Sequence, residues 1–138
     1  MSNAAMPTVS DTFTFRKTIA ESDVYLFAGI TGDLSPNHVD AEYMRGTPYG
    51  RRVAHGALTL SLASNASTQV QAAVGRACVS YGYDRVRFIA PVFIGDTVSV
   101  QYRIDHLDIE AQKSYGAIEI RNTDGQLCMV ATHILKFL

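Results

Sequence analysis

The sequence predicts an α+β fold in which one antiparallel sheet curls around a single buried helix. Residues 53–75 contain no Asp, Glu, Lys or Arg, which indicates a long element surrounded by protein. Strand-like segments outnumber helical ones, and those after this helix follow one another without an intervening helix. A chain of 138 residues suits one domain. We therefore expect residues 11–138 to form a single domain, and residues 1–10 to be a disordered tail or an expression remnant.

A strand and a short helix are predicted first. Residues 12–19 alternate and are rich in Thr and Phe, which is typical of a strand. Ser22 is the predicted N-cap of a helix over residues 23–28, because a serine side chain can accept a hydrogen bond from the first free N–H groups. Gly29 and Gly32 mark the end of this helix.

A stiff loop is expected over residues 31–38. Pro36 fixes its own φ and pushes the residue before it toward an extended conformation. Asp40 is predicted to cap a short helical turn that runs to Arg45, before glycines and a proline return the chain to loop.

The uncharged segment from Val53 to Gly75 is predicted to be the central helix. Its apolar residues recur at a spacing of four, which places them along one helix face: Leu58, Leu62, Ala66, Val70 and Val74. Such a helix is roughly 30 Å long. A membrane span is the alternative, but the interspersed Ser, Asn, Thr and Gln side chains argue against it. Gly75 is the expected C-terminal cap.

The remainder of the chain is predicted to form strands. The expected strands are residues 97–109, 113–121 and 126–137, preceded either by two strands, 77–84 and 85–90, or by one continuous bent strand. The Asn-Thr-Asp-Gly run at residues 122–125 predicts a hairpin turn.

Charge and cysteine content argue against several classes of function. A net charge of −1 gives no electrostatic attraction to nucleic acid or to an anionic membrane surface. The small clusters Arg51–Arg52 and Arg85/Arg87 fit a solvated surface, with a phosphorylated ligand as the alternative.

Cys78 and Cys128 are isolated, so we expect free thiols in a reducing cytoplasm rather than a zinc or redox site. No signal peptide is expected, because the N-terminus lacks a basic region followed by an apolar run.

The candidate catalytic residues are Asp33 and His38, five residues apart on the stiff loop. A carboxylate and an imidazole held close together can share proton transfer near neutral pH. Each also has a structural interpretation, Asp33 as a turn residue and His38 as a hydrogen-bonded loop residue. Asp40 would extend them to a metal-ligand set, but the sequence offers no further ligands, so no metal is expected. His106 and His133 are predicted to be partly exposed strand residues.

Three blocks, TGDLSPNH, RRVAHGALTLSLAS and RFIAPVFIGDTV, resemble in this order the MaoC-like, or type 2 (R)-specific, enoyl-CoA hydratases of the hot-dog fold. The resemblance implies that Asp33 and His38 are the catalytic pair. It also implies that His55 and Gly56 start the central helix, and that the backbone N–H of Gly56 binds the thioester oxygen. Ser64 is implied to hydrogen-bond the substrate or the active site.

Two positions depart from the pattern of that family. Ser35 stands in place of an asparagine and Asn37 in place of an apolar residue, while the acid and the imidazole are intact. Because serine is shorter than asparagine, the resemblance leaves the preferred acyl group open. His55, just before the glycine of the second block, is expected to be structural.

The resemblance implies reversible hydration of trans-2-enoyl thioesters to (R)-3-hydroxyacyl thioesters, a lyase reaction of fatty acid metabolism. The expected substrate is an acyl-CoA, with an acyl group on a carrier protein as the alternative, and no other cofactor is expected. A homodimer or larger homo-oligomer is implied. One alternative is a hot-dog acyl-CoA thioesterase, which commonly needs an acid near the central helix, where residues 53–75 have none. The other is a non-catalytic acyl-thioester-binding subunit, which has no need of the Asp33–His38 pair.

Overall fold

The computed structural model describes residues 4–138, which form one antiparallel sheet and a series of helical segments. The strands are β1 (Thr12–Thr18), β2 (Cys78–Phe88), β3 (Thr97–Asp108), β4 (Lys113–Arg121) and β5 (Leu127–Phe137). The helical segments are α1 (Glu21–Thr31), α2 (Pro36–Val39), α3 (Ala41–Arg45), α4 (Gly56–Ser61) and α5 (Ala63–Val74). The sheet order is β1-β3-β4-β5-β2, so β1 and β2 are the edges. None of the helices within residues 4–138 has the length and apolar character needed to cross a membrane.

The sheet buries one face against the central helix. Along β3, buried residues alternate with exposed ones, the pattern of a strand with one face on the core. The helix α5 contributes the fully buried Ala63, Ala66 and Val70 and packs against β1 and β3. The Gln69 side-chain amide also donates a hydrogen bond to the Thr14 carbonyl of β1 at 2.8 Å. The predicted α+β class, with a sheet around one helix, is confirmed.

The central helix begins at Gly56, as the resemblance implies, and not at the first residue of the uncharged segment. Val53, the first residue of that segment, instead pairs with Phe93 in an isolated antiparallel bridge. The predicted end is confirmed, because Gly75 follows the last helical turn in the left-handed region, at φ 70°.

The same helix is divided in two at Leu62. The Ser61 hydroxyl donates to the Leu58 carbonyl at 2.6 Å, and this carbonyl is the one that the Leu62 N–H would bind in a regular α-helix. The Leu62 N–H instead donates to the Thr59 carbonyl at 3.2 Å, which tightens the turn. Leu62 keeps a helical conformation, so α5 follows α4 directly.

The first helix starts earlier and ends later than predicted. Its N-cap is Ala20 rather than Ser22, and the Asp23 carboxylate accepts the Ala20 N–H at 2.8 Å. An acid in the first turn also interacts favourably with the helix dipole. Gly32, at φ 78°, ends the helix. The predicted loop over residues 31–38 therefore includes the end of α1 and the start of α2.

A single bent strand, β2, forms the segment for which the sequence allowed either two strands or one continuous strand. Its pairing with β5 shifts register between Ser80 and Gly82 and again between Asp84 and Arg87. Arg85 lies at the second shift with φ 55°, as expected where a bulge bends a strand. The predicted Asn-Thr-Asp-Gly turn between β4 and β5 is confirmed.

The segment predicted to be a disordered tail is ordered over much of its length. Residues 1–3 lie outside the described part of the chain. Met6 packs against the core and Pro7 is buried. The Ser10 N–H donates to the Ile104 carbonyl of β3 at 2.8 Å. The domain therefore extends further toward the N-terminus than residue 11.

His133, predicted to be partly exposed, is buried in β5. Its Nε2 lies 2.7 Å from the Ser80 hydroxyl and its Nδ1 lies 3.0 Å from the Tyr102 hydroxyl, while its ring stacks on Tyr83. Burial lowers the pKa of His133 from 6.5 to about 4, so the ring is neutral at pH 7. Gly116 of β4 makes room for this network, because a Cβ at that position would overlap the Tyr102 ring.

Candidate active site

Asp33 and His38 face each other across a narrow gap. Gly32 turns the chain out of α1, and Pro36 starts the short α2 that carries His38. Asp33 Oδ2 lies 3.9 Å from His38 Nε2. The His38 residue is buried, whereas the Asp33 side chain is 52% exposed. A separation of 3.9 Å is too long for a direct hydrogen bond, but it leaves room for a water molecule bonded to both groups.

The orientation of the His38 ring is set by a main-chain contact. His38 Nδ1 lies 2.7 Å from the Val53 carbonyl oxygen. Because a carbonyl only accepts, Nδ1 must carry the hydrogen. In the neutral ring Nε2 therefore has a free lone pair, and this is the atom that faces Asp33.

The Asp33 carboxylate is held by its own loop. Its Oδ1 accepts the Ser35 N–H at 3.2 Å, which leaves Oδ2 facing His38. The Asp33 N–H donates to the Thr31 hydroxyl at 3.1 Å. Ser35 thus contributes a main-chain group, and its hydroxyl has no hydrogen bond to any residue of the described chain. The departure from asparagine at this position therefore leaves the support of the acid in place.

His55, the residue before α4, contacts both Asp33 and His38. Its Nε2 lies 2.9 Å from the Asp33 carbonyl oxygen, so Nε2 carries the hydrogen. Its ring stacks on that of His38, with the two ring centroids 3.7 Å apart. The Phe27 ring packs against the His55 ring, with centroids 4.9 Å apart. His55 Nδ1 is buried and has no hydrogen-bond partner within residues 4–138. These contacts agree with the structural role predicted for His55.

Asp33, His38 and His55 also have donor atoms within 4.8 Å of one another, close enough to suggest a metal site. The stacked imidazole rings argue against one. A ring nitrogen directs its lone pair in the plane of the ring, so two stacked rings do not converge on one ion. His55 Nε2 also donates to a carbonyl. Asp40, the third ligand considered from the sequence, instead caps α3 as predicted, accepting the Tyr43 N–H at 2.9 Å.

A cavity of about 230 Å³ is lined by both His38 and Gly56, and because these candidate residues line it we refer to it as the reactive cavity. The Gly56 N–H is at the start of α4 and donates to no acceptor within the described chain. The Phe88 ring at the end of β2 packs directly on Gly56, where a Cβ would lie 2.9 Å from it. A larger residue at position 56 would therefore require the half-exposed Phe88 ring to shift. The structure brings together three of the predicted site residues, Asp33, His38 and Gly56.

Ser64 lies apart from this cavity. It is exposed on α5, and its carbonyl accepts the Ser67 hydroxyl at 2.8 Å. Its own hydroxyl has no hydrogen-bond partner in the part of the chain that is described. A substrate contact for Ser64 stays a prediction.

A sequence model of a protein family, described as MaoC like domain, matches residues 5–125. The chain belongs to the MaoC-like domain family. An (R)-specific enoyl-CoA hydratase of Rhodospirillum rubrum is 38% identical over 91 residues, which cover 66% of this chain and 61% of the relative. A 3-hydroxybutyryl-CoA dehydratase of Methylorubrum extorquens is 36% identical over 99 residues, covering 72% of this chain and 61% of the relative. The MaoC-like chain thus spans less than two thirds of either relative.

Solved structures show the fold of this MaoC-like domain. The (R)-hydratase of A. caviae matches with a TM-score of 0.88, covering 96% of this chain and 98% of that one at 24% identity. The hot-dog fold implied by the sequence resemblance is confirmed.

Two contacts of this MaoC-like site were not predicted. His55 bonds to the Asp33 carbonyl across 22 positions of sequence, and Phe88 packs on Gly56 from a different strand. Both depend on tertiary structure, and a local motif carries no signal for either.

Proposed function

We propose that the protein catalyses the reversible hydration of trans-2-enoyl-CoA thioesters to (R)-3-hydroxyacyl-CoA thioesters. One observation carries this proposal: two hydrogen-bond acceptors, Asp33 Oδ2 and His38 Nε2, lie 3.9 Å apart beside a cavity lined by Gly56. The names of the relatives from Rhodospirillum rubrum and Methylorubrum extorquens support the same reaction class.

The water-binding step follows from the orientation of the pair. A water between Asp33 and His38 donates one hydrogen to the carboxylate and the other to the free Nε2 lone pair. Its oxygen lone pairs are then directed away from both groups and toward the substrate. The hydrogen bond from His38 Nδ1–H to the Val53 carbonyl keeps the ring in this tautomer, so no second carboxylate is needed to orient it.

The reaction then needs one proton to move and one charge to be stabilised. The water oxygen bonds to Cβ while the pair takes a proton from it, and the electrons of the double bond shift toward the thioester oxygen. The free N–H of Gly56 stabilises the developing negative charge, as an oxyanion-hole donor does. The pair then returns its proton to Cα. Between these two steps the proton resides on the pair, either on His38 Nε2 or on Asp33 Oδ2.

The remaining features of the proposal concern cofactor, compartment and assembly. The reaction needs no cofactor, because coenzyme A is part of the substrate. We place the enzyme in the cytoplasm, since Cys78 and Cys128 are free thiols. We place it in fatty acid metabolism because the proposed substrate and product are acyl thioesters. We also propose a homodimer or larger homo-oligomer formed at β2, an edge strand with Val79, Tyr81 and Phe88 exposed.

Incubation with crotonyl-CoA tests the proposed reaction. We expect loss of the absorbance of the conjugated thioester without release of free thiol, and chiral analysis should find the (R)-3-hydroxy product. Release of free thiol would identify a thioesterase, and no change would identify an acyl-thioester-binding subunit. An (S) product would also contradict the proposal.

A further inference from the structure

A second cavity, of about 290 Å³, is lined by three arginines, Arg45, Arg51 and Arg52. Its remaining lining residues are Ala41, Gly50 and Ile94, so no acidic side chain of the described chain lines it. The whole sequence has only 12 Lys and Arg residues and a net charge of −1. Three arginines around one concavity are therefore a local concentration of positive charge in a nearly neutral protein.

The three arginines differ in how far their charges are already neutralised. Arg52 lies 2.7 Å from Glu21 and donates to the Tyr25 hydroxyl at 3.0 Å, and the hydrogen bond to Glu21 raises its pKa. It is a fixed cation that links α1 to the chain before α4. Arg45 pairs with Glu42 on the exposed surface of α3.

Arg51 is the positively charged group of this cavity that remains available. It has no carboxylate partner within residues 4–138. Its guanidinium carbon lies 3.8 Å from the centre of the Phe93 ring, so the ring face positions the side chain while leaving its N–H groups free. A preorganised guanidinium with free donors is suited to bidentate binding of a phosphate.

An aromatic contact connects this cavity with the reactive one. The Phe93 ring that supports Arg51 meets Tyr49 edge-on, with centroids 6.1 Å apart, and Tyr49 lines the reactive cavity. Arg51 and Gly56 are five residues apart, so their Cα atoms are separated by at most about 18 Å. The separation is therefore within reach of the extended pantetheine arm, which joins the thiol of coenzyme A to its phosphates.

We propose that the arginine cavity binds the phosphate groups of coenzyme A, with Arg51 as the main contact and Arg45 and Arg52 beside it. The proposal rests on the proposed function, because it places the nucleotide end of the same thioester. An acidic carrier protein is the less suitable ligand. The site is concave, and two of its three charges are already paired, whereas docking of an acidic protein surface calls for a broad exposed positive patch.

Kinetics with two thioesters test this assignment. Crotonyl-CoA carries the phosphates, and crotonyl-pantetheine has the same reactive group without them. Arg51→Gln should raise the KM for crotonyl-CoA by about 10- to 100-fold, the usual range for losing a hydrogen bond to a charged group, and leave kcat unchanged. Its KM for crotonyl-pantetheine should stay at the wild-type value. Arg103→Gln, on an exposed position of β3, is the matched control and should change neither KM.

Binding of adenosine 3′,5′-bisphosphate, measured by calorimetry, tests the cavity independently of turnover. The wild type should bind it, and Arg51→Gln and Arg45→Gln/Arg51→Gln should bind it progressively more weakly. If the wild type hydrates neither thioester but still shows this dependence on Arg51, the cavity assignment stands and the proposed reaction fails. Unchanged KM values and unchanged bisphosphate affinity in Arg51→Gln would overturn the assignment. It would also be overturned if Arg51→Gln impaired only crotonyl groups on an acyl carrier protein, which would identify a protein-docking surface.

Discussion

At the scale of single residues, the candidate site depends on main-chain atoms as much as on side chains. The Val53 carbonyl sets the tautomer of His38, and the Ser35 N–H holds one oxygen of Asp33. His55 fixes the loop by donating to the Asp33 carbonyl. Substitutions that keep these main-chain groups should therefore be tolerated even where the side chain is close to the reactive pair.

Ser35 allows this dependence to be tested directly. Ser35→Ala should keep kcat within about twofold of wild type, because the hydroxyl makes no hydrogen bond within the described chain and the backbone N–H is retained. Ser35→Pro fits the observed φ of −54° but removes that N–H, so kcat should fall about tenfold or more. Crotonyl-CoA hydration rates measure both. Equal rates for the two variants would contradict the role assigned to the N–H.

His133 should make the stability of the fold depend on pH. Its pKa in the folded protein is about 4, below the ordinary 6.5, so the unfolded chain binds more protons between these values. The free energy of unfolding therefore rises with pH through this window and falls on acidification. Lowering the pH from 7 to 5 should cost about 2 kcal/mol through this residue. Urea unfolding at both pH values measures the loss.

A substitution at His133 separates this effect from general acid sensitivity. His133→Gln removes the titrating ring, so its stability should fall less between pH 7 and pH 5, even if it is lower at both. His106→Gln, at an exposed position of β3, is the control and should behave as wild type. The same pH-dependent loss in His133→Gln and wild type would show that another group is responsible.

At the scale of secondary-structure elements, local sequence signals predicted the strands and the order of elements. The errors arise where a side chain interacts with groups that a local sequence pattern does not include. Alternation and the hairpin turn depend on neighbouring residues, so they could be predicted. The division at Leu62 arises because the Ser61 hydroxyl takes a carbonyl that the helix would otherwise use. The burial of His133 depends on Gly116 of the neighbouring strand, which admits the Tyr102 ring. Neither effect can be predicted from the periodicity of the sequence.

Two strand glycines provide a matched test of this packing. Gly116→Ala should destabilise the protein by about 1–3 kcal/mol, because the added methyl group overlaps the Tyr102 ring. Gly82→Ala, also in a strand, meets no atom within 4 Å and should stay within about 1 kcal/mol of wild type. Thermal or urea unfolding compares them. Similar losses in both variants would mean that backbone effects, rather than the Tyr102 contact, set the cost.

At the scale of the whole molecule, the sheet leaves an apolar edge uncovered. On β2, Val79, Tyr81 and Phe88 are 49%, 62% and 55% exposed. An exposed edge strand with apolar side chains is a template for pairing with another chain. Phe88 also packs on Gly56, so this edge adjoins the reactive cavity. Assembly at β2 would therefore place a partner subunit next to the proposed chemistry.

A charge at this edge should prevent the proposed assembly. We expect wild type to elute in light scattering at twice its 15.1 kDa mass or a higher multiple. Tyr81→Lys should shift it to 15.1 kDa, because a desolvated charge disfavours the interface. Val9→Lys, at an exposed position just before β1 on the opposite edge of the sheet, should leave the assembly unchanged. A monomeric wild type, or equal effects of both substitutions, would contradict assembly through β2.

The measurement that tests the central claim most directly is crotonyl-CoA hydration by Asp33→Asn and His38→Gln. Each substitution removes one of the two acceptors that hold the water, so each should lower kcat by about 10²- to 10⁴-fold with little change in KM. Asp40→Asn, which alters a helix cap outside the pair, is the control and should retain near-wild-type activity. Near-wild-type hydration by both Asp33→Asn and His38→Gln would contradict the account.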